Sequence, residues 1–174
     1  MMLRASVDAA LVRPAQRASG RVQVPGDKSI SHRYALLGAI ATGTTRIAAY
    51  SSGADCAATL ACLRALGVPI VSSGGTVEIT GRGLHGLSEA PEPVDAANSG
   101  TTMRLLAGLA AAHSFRTVVV GDASLSRRPM RRVMAPLTEM GATIQSADGR
   151  PPLTIDGAPL RGITYRPDVP SAQV

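Results

Sequence analysis

The chain repeats itself, and the repeat limits its fold more tightly than any other feature. Leu63-Arg64-Ala65-Leu66-Gly67-Val68-Pro69-Ile70 returns as Leu137-Thr138-Glu139-Met140-Gly141-Ala142-Thr143-Ile144, each residue 74 positions after its counterpart. Both copies put glycine where a helix has to stop. A short strand follows each, then a turn (Ser73-Gly74-Gly75 or Ala147-Asp148-Gly149), then an alternating strand over 76–79 or 153–156; Pro151-Pro152 is an insertion in the second copy. Upstream, 45–49 and 117–120 read as strands, and 55–66 and 129–140 as the helices after them. Each unit is therefore βαβαββ, and the fold class is α/β built from repeated units.

The register of the repeat points to the chemistry. Residues 21–24 read as a strand and Pro25-Gly26 as a turn, after which Ile30, Tyr34, Leu37, Ile40 and Ala41 recur at helical spacing until Thr42-Gly43. Lys28 and Ser29 thus open a helix, where unpaired backbone N–H groups and the positive end of the helix dipole favour an anion. Lys28 is the single lysine among eighteen basic side chains, in Pro25-Gly26-Asp27-Lys28-Ser29-Ile30-Ser31-His32-Arg33. Lysine offers a compact ammonium where arginine offers a planar fork. Two readings stand side by side: Lys28, Ser29 and Arg33 converge on a phosphate, or Asp27 or Ser29 caps the helix while Arg33 is solvated.

Seventy-two positions on, Gly100-Thr101 in Asn98-Ser99-Gly100-Thr101-Thr102-Met103-Arg104 occupies the equivalent helix start. A further step of about the same size reaches Ser171-Ala172-Gln173. Three such helix starts around one axis would aim their dipoles at one place, and Gly100 would admit a ligand close to the backbone or simply ease a turn. In Ser126-Arg127-Arg128-Pro129-Met130-Arg131-Arg132, Pro129 suits the first turn of a helix, leaving a loop arginine to clamp an anion and Arg131 and Arg132 to form a solvated face.

Composition narrows the partners. A net charge of +6 and a pI near 10.3 suit a nucleic-acid binder. With only Tyr34, Tyr50, Phe115 and Tyr165 as aromatics there is no base-stacking platform, and small polyanions account for the charge equally well. No apolar run is long enough for a bilayer, and the arginine-bearing first residues read as an ordinary N-terminus. Cys56 and Cys62, on one helix and facing different ways, are expected to be reduced core thiols, as in a cytoplasmic protein. His32, His85 and His113 have no metal-ligand spacing and receive no catalytic role.

Four segments together carry a resemblance. The lysine motif at 24–33, the glycine motif at 98–104, Gly121-Asp122-Ala123-Ser124-Leu125-Ser126-Arg127-Arg128-Pro129-Met130, and Pro170-Ser171-Ala172-Gln173-Val174 resemble, in order and spacing, successive motifs of the 5-enolpyruvylshikimate-3-phosphate synthase family. The sister family acting on UDP-N-acetylglucosamine opens with a different lysine motif and uses a cysteine loop, in which neither cysteine here lies.

The resemblance implies transfer of the enolpyruvyl group of phosphoenolpyruvate to the 5-hydroxyl of shikimate 3-phosphate, without metal or organic cofactor, on the way to aromatic amino acids. Carried over by motif, Lys28 is catalytic and contacts both substrates. Ser29, Arg33, Ser171, Ala172 and Gln173 hold shikimate 3-phosphate, while Gly100, Arg128 and Gln173 lie on phosphoenolpyruvate. Arg127 stands where related sequences often carry lysine. Glyphosate is implied as an inhibitor, and a monomer as the complete form.

The fold implied is the inside-out α/β barrel of enolpyruvyl transferases, with the first domain incomplete. Repeat one covers about 21–81, repeat two about 94–157, and a third begins at about 163–174. Residues 1–20 are expected to belong with an absent second domain, which in the family supplies the acidic general base and a further lysine. The chain alone is then expected to be inactive. A different class also fits the residues: a small, complete, non-enzymatic module that binds phosphate or nucleic acid.

Overall fold

The computed structural model describes residues 13–167, Pro170 and Gln173. Ser171 and Ala172, and most of the 1–20 segment, lie outside the described residues.

The order is α1 (Lys28–Ile40), β1 (Thr42–Ile47), α2 (Ala54–Ala65), β2 (Ile70–Ser73), β3 (Thr76–Arg82), β4 (Val94–Asp95), α3 (Gly100–Ala111), β5 (Arg116–Val120), a 3₁₀ turn (Leu125–Arg127), α4 (Arg131–Met140), β6 (Thr143–Ala147) and β7 (Arg150–Asp156). The first sheet runs β1-β3-β2 and the second β4-β5-β7-β6, antiparallel except for the β4–β5 pair. Register repeats along with order: Thr44 opposes Thr80 as Arg116 opposes Asp156, and Ile70 opposes Ile79 as Ile144 opposes Ile155.

Local chemistry explains the boundaries. Asp27 caps α1 by accepting the Ile30 N–H at 2.7 Å, and Ser99 caps α3 by accepting the Thr102 N–H at 3.1 Å. Gly67 (φ +83°) and Gly141 (φ +119°) close α2 and α4 in the left-handed region, as the repeat required. The helices lie against the sheets over one core in which Leu63, Leu66, Ile79, Met103, Leu106, Leu153 and Ile155 are fully buried.

Several expectations need correction. Residues 21–24 form no strand; Val22 and Val24 are 82% and 76% exposed. The strand expected at 45–49 is β1 at Thr42–Ile47, ending before Ala49 turns to φ +51°. Pro129 does not lie in the first turn of a helix: α4 starts at Arg131, because 125–127 form a separate 3₁₀ turn and Met130 takes the cap position. The stripe used to recognise α1 points outward, with Ile30, Tyr34 and Leu37 all more than half exposed. The buried face of α1 carries Ser31, His32, Ala35, Leu36, Gly38 and Ala39, since a close helix packing selects small residues over large ones. The strand expected at 153–156 is β7 from Arg150, with the inserted Pro151-Pro152 inside it and taken up by a bulge, so that Ser146 opposes Leu153 while Ala147 opposes Arg150.

Candidate functional site

The starts of α1 and α3 come together across the start of α2. Lys28 on α1 forms an ion pair with the Asp55 carboxylate in the first turn of α2. The Thr102 hydroxyl oxygen of α3 lies 3.3 Å from the backbone carbonyl of Asp55. An ammonium has three donors, so one bond to Asp55 leaves two for a ligand. Ser29 is exposed at the same helix end, and Arg33, one turn on, donates from Nη1 to the Ser29 carbonyl at 3.2 Å. Asp27 therefore does cap the helix, and Lys28 and Ser29 still face outward beside it.

Gly100 opens α3 between two guanidinium groups. A methyl group on Gly100 would stand 2.9 Å from Arg104 Nη1 and 3.2 Å from Arg128 Nη1. Arg128 Nη2 donates to Asn98 Oδ1 at 2.7 Å, and Asn98 Nδ2 donates to Asp122 at 2.6 Å. The Asn98 amide bond, then the Leu125 N–H, hold the Asp122 carboxyl below the usual carboxylate range. Asp122 and Asn98 thus aim Arg128 across the mouth of α3.

Gln173 reaches the same place: its side-chain amide donates to Thr101 Oγ1 at 2.9 Å, and its carbonyl oxygen accepts from Arg104 Nη1 at 3.1 Å. Arg104 is buried, and burial, then the charges of Arg132 and Arg128, lower its pKa from the ordinary value.

Of the residues expected at a site, Lys28, Ser29 and Arg33 fall at one helix start and Gly100, Arg128 and Gln173 around the next. Sequence reasoning passed over Asp55, Asn98, Arg104 and Asp122. Arg104 carried a signal, since it lies 72 positions after His32 and so shares its register. Asp55 carried a weaker one as the acid in the first turn of α2. Arg131 and Arg132 are solvated, as expected, with Arg131 turned to Asp148.

A cavity of about 440 Å³ lies between α3 and α4, lined by Leu105, Val133, Leu137, Met140 and Tyr165 together with Arg104 and Gln173. Its walls are mostly apolar and do not suit two polyanions. Both cysteines are buried and unpaired; burial pushes the Cys62 thiol up to about 12 and also raises that of Cys56. Among the described residues no group of three or more His, Cys, Asp or Glu could hold a metal ion, and no helix is long and apolar enough to cross a membrane.

The comparisons agree on a family. The model for EPSP synthase (3-phosphoshikimate 1-carboxyvinyltransferase) matches residues 12–174. A 3-phosphoshikimate 1-carboxyvinyltransferase of Solibacter usitatus is 51% identical over 164 residues, covering 94% of this chain and 38% of the relative. One of Alkalilimnicola ehrlichii is 57% identical over 166 residues, covering 94% and 37%. The solved EPSP synthase of Acinetobacter baumannii superposes with a TM-score of 0.85 at 47% identity, over 88% of this chain and 36% of that one. The chain therefore spans well under half the length of the relatives it matches. Its two repeated α/β units, the first without its leading strand, its capped helix starts and these matches place it in one family: the chain belongs to the EPSP synthase (3-phosphoshikimate 1-carboxyvinyltransferase) family.

Proposed function

We propose that this chain supplies one wall of a site in which the enolpyruvyl group of phosphoenolpyruvate passes to the 5-hydroxyl of shikimate 3-phosphate, through a tetrahedral phospho-ketal that then loses phosphate. The observation that carries the reading is the meeting of two capped helix starts, one bearing Lys28 and the other Gly100, with Arg128 turned across the second. Both substrates are anions. Two unit charges 4 Å apart near a protein surface repel by about 4 kcal/mol, so bringing them together needs fixed positive charge and oriented N–H groups. Holding them in reacting geometry then lowers the barrier by removing the entropy of their encounter.

In this reading Lys28 bonds both ligands with the donors that Asp55 leaves over. Ser29, Arg33, Ser171, Ala172 and Gln173 hold shikimate 3-phosphate, and Gly100, Arg128 and Gln173 hold phosphoenolpyruvate or its mimic glyphosate. Repeat one is assigned to about 21–81, repeat two to about 94–157 and the start of a third to about 163–174, with 1–20 belonging to a second domain. A cytoplasmic monomer is the form proposed for the whole protein.

Calorimetric titration of the 174-residue chain with shikimate 3-phosphate tests the assignment. Lys28→Ala and Arg33→Ala should each weaken binding about tenfold or more, the loss of one charge-assisted bond. A folded wild-type chain that ignores shikimate 3-phosphate, or one that takes up oligonucleotides instead, would sink the reading. Gly100→Ala should press the ends of Arg104 and Arg128 aside; in the presence of shikimate 3-phosphate it should weaken the longer glyphosate by about tenfold and phosphoenolpyruvate by less.

A further inference from the structure

Between the two helix starts runs a line of polar side chains that no ligand can touch. His32 on α1, Thr59 on α2, and Thr102 and Ser99 at the start of α3 are each 0% exposed. His32 Nδ1 lies 2.6 Å from Thr59 Oγ1, Thr59 Oγ1 2.7 Å from Thr102 Oγ1, and Thr102 Oγ1 2.7 Å from Ser99 Oγ. Ser99 Oγ in turn accepts the Thr102 N–H that caps α3. Apolar residues of like shape would pack here at little or no cost in stability, so the line calls for a role beyond stability. Hydrogen bonds of this length fix a register that apolar contacts would let slide.

The hydrogens settle its direction. Each hydroxyl has one to give, and Nε2 of His32 is buried without a partner among the described residues. An N–H stranded at Nε2 costs more than a bare lone pair, so the proton belongs on Nδ1. The Asp55 carbonyl competes for the two threonine hydrogens only at longer range, 3.5 Å from Thr59 and 3.3 Å from Thr102, so the shorter line prevails: His32 donates to Thr59, Thr59 to Thr102, and Thr102 to Ser99, which leaves the serine oxygen to accept at the helix cap. Burial first, then Lys28 and more weakly Arg33 from α1, oppose a second proton on the ring, against the pull of Asp55 from α2.

We infer that His32 is a positioning residue: its Nδ1–H directs a hydrogen-bond chain through Thr59 and Thr102 to Ser99, fixing the start of α3 with Gly100 against the start of α1 with Lys28. What those two starts hold rests on the function proposed above; the coupling between them does not.

Nitrogen-15 NMR of the wild-type chain should show the Nδ1–H tautomer of His32; the Nε2–H tautomer would overturn the inference outright. Thr59→Val removes the link on α2 at constant shape, and Thr59→Ser restores it. In the valine variant the amides of Gly100 and Thr101 on α3 should shift, and shikimate 3-phosphate binding should weaken about tenfold, with both reversed in the serine variant. A folded valine variant with α3 amides unmoved would overturn the coupling. Should that variant not fold, the wild-type tautomer and the serine variant decide. If no form binds shikimate 3-phosphate, the proposed function falls, and the tautomer and amide shifts still judge the chain of bonds on their own.

Discussion

Val22 and Val94 occupy the same place in the two repeats, 72 positions apart, yet the first is 82% exposed and the second 1%. Val94 pairs in parallel with Val119, and the β4 backbone is met from the other side by repeat one, where Cys62 Sγ donates to the Asp95 carbonyl at 3.3 Å. Residues 21–24 share the valine, and among the described residues nothing covers them in that way. A strand this short does not hold a sheet edge through its own hydrogen bonds; burial against a neighbouring unit decides whether it forms. In a repeat architecture, then, the second unit is partly made by the first.

The helix interiors differ in a related way. His32 and Arg104 share one register and are both buried, each with a ring or guanidinium nitrogen that has no partner among the described residues, His32 Nε2 and Arg104 Nε. One ends in a line of hydroxyls toward the next helix; the other reaches Gln173, the Gly100 carbonyl and the Pro129 carbonyl. One position thus serves two ends, an internal link in repeat one and a charged contact at the site in repeat two.

The sharpest way to break this comparison is at its most closely matched core pair. Leu63 is fully buried and its counterpart Leu137 is 8% exposed at the cavity beside α4. Leu63→Ala should cost about 4 kcal/mol and Leu137→Ala nearer 2, the difference reflecting how much each site can relax. Urea unfolding of both variants would check it, and equal losses would mean the two cores are equally tight.

Next come two glycines whose constraint is space. A methyl on Gly81 would collide with the carbonyls of Ala41 and Gly38, at 2.6 Å for the latter, and one on Gly157 with those of His113 and Ala110, at 2.5 Å for the latter. In both repeats the end of the last strand rests on carbonyls at the close of the repeat's first helix, α1 or α3. Alanine at either should cost about 3 kcal/mol by forcing backbone apart. Thermal melts showing a loss at only one would break the equivalence of the two packings.

Acid should separate the repeats further. Burial first, then Lys28, lowers the His32 pKa from its ordinary 6.5. The unfolded chain therefore takes up a proton at higher pH than the native chain, so stability rises with pH and is lost as pH falls below about 6.5. Arg104 stays charged throughout this range. Unfolding midpoints measured from pH 7.5 to 5 should fall in the wild type and flatten in His32→Asn; an equal slope in both would remove His32 as the source.

The smallest effects belong to the caps. Asp27→Ala, at an exposed cap, should cost about 1 kcal/mol, and Ser99→Ala, at a buried cap that also receives Thr102, about 2. Amide exchange in the first turns of α1 and α3 would read each locally, and equal costs would show that burial adds nothing to the second cap.

Much of this is legible in the order of residues alone. Glycines at 67 and 141, alternating strands at 76–79 and 153–156, and a lysine at a helix start are local signals, set by allowed backbone angles, side-chain alternation and the unpaired groups of a helix end. The periodic copy of those signals fixed the α/β class and brought Lys28 and Gly100 into one register. Side-chain partners were not legible in the same way. Nothing in the neighbourhood of Asp55 names Lys28, 27 positions away, nor does Asn98 name Arg128, 30 away.

Which face of α1 turned inward was also beyond the sequence. Its large apolar residues, Ile30, Tyr34 and Leu37, made the helix recognisable, and the structure set them outside while burying Ala35, Gly38 and Ala39. The sequence by itself determined most of the helices and strands, their order and the helix starts at Lys28 and Gly100, because each depends on residues within a turn or two of one another. The tertiary structure alone decided the missing strand at 21–24, the buried line from His32 to Ser99 and the aim of Arg128. Each of these depends on groups far apart in the chain, whose meeting is fixed by how whole units pack.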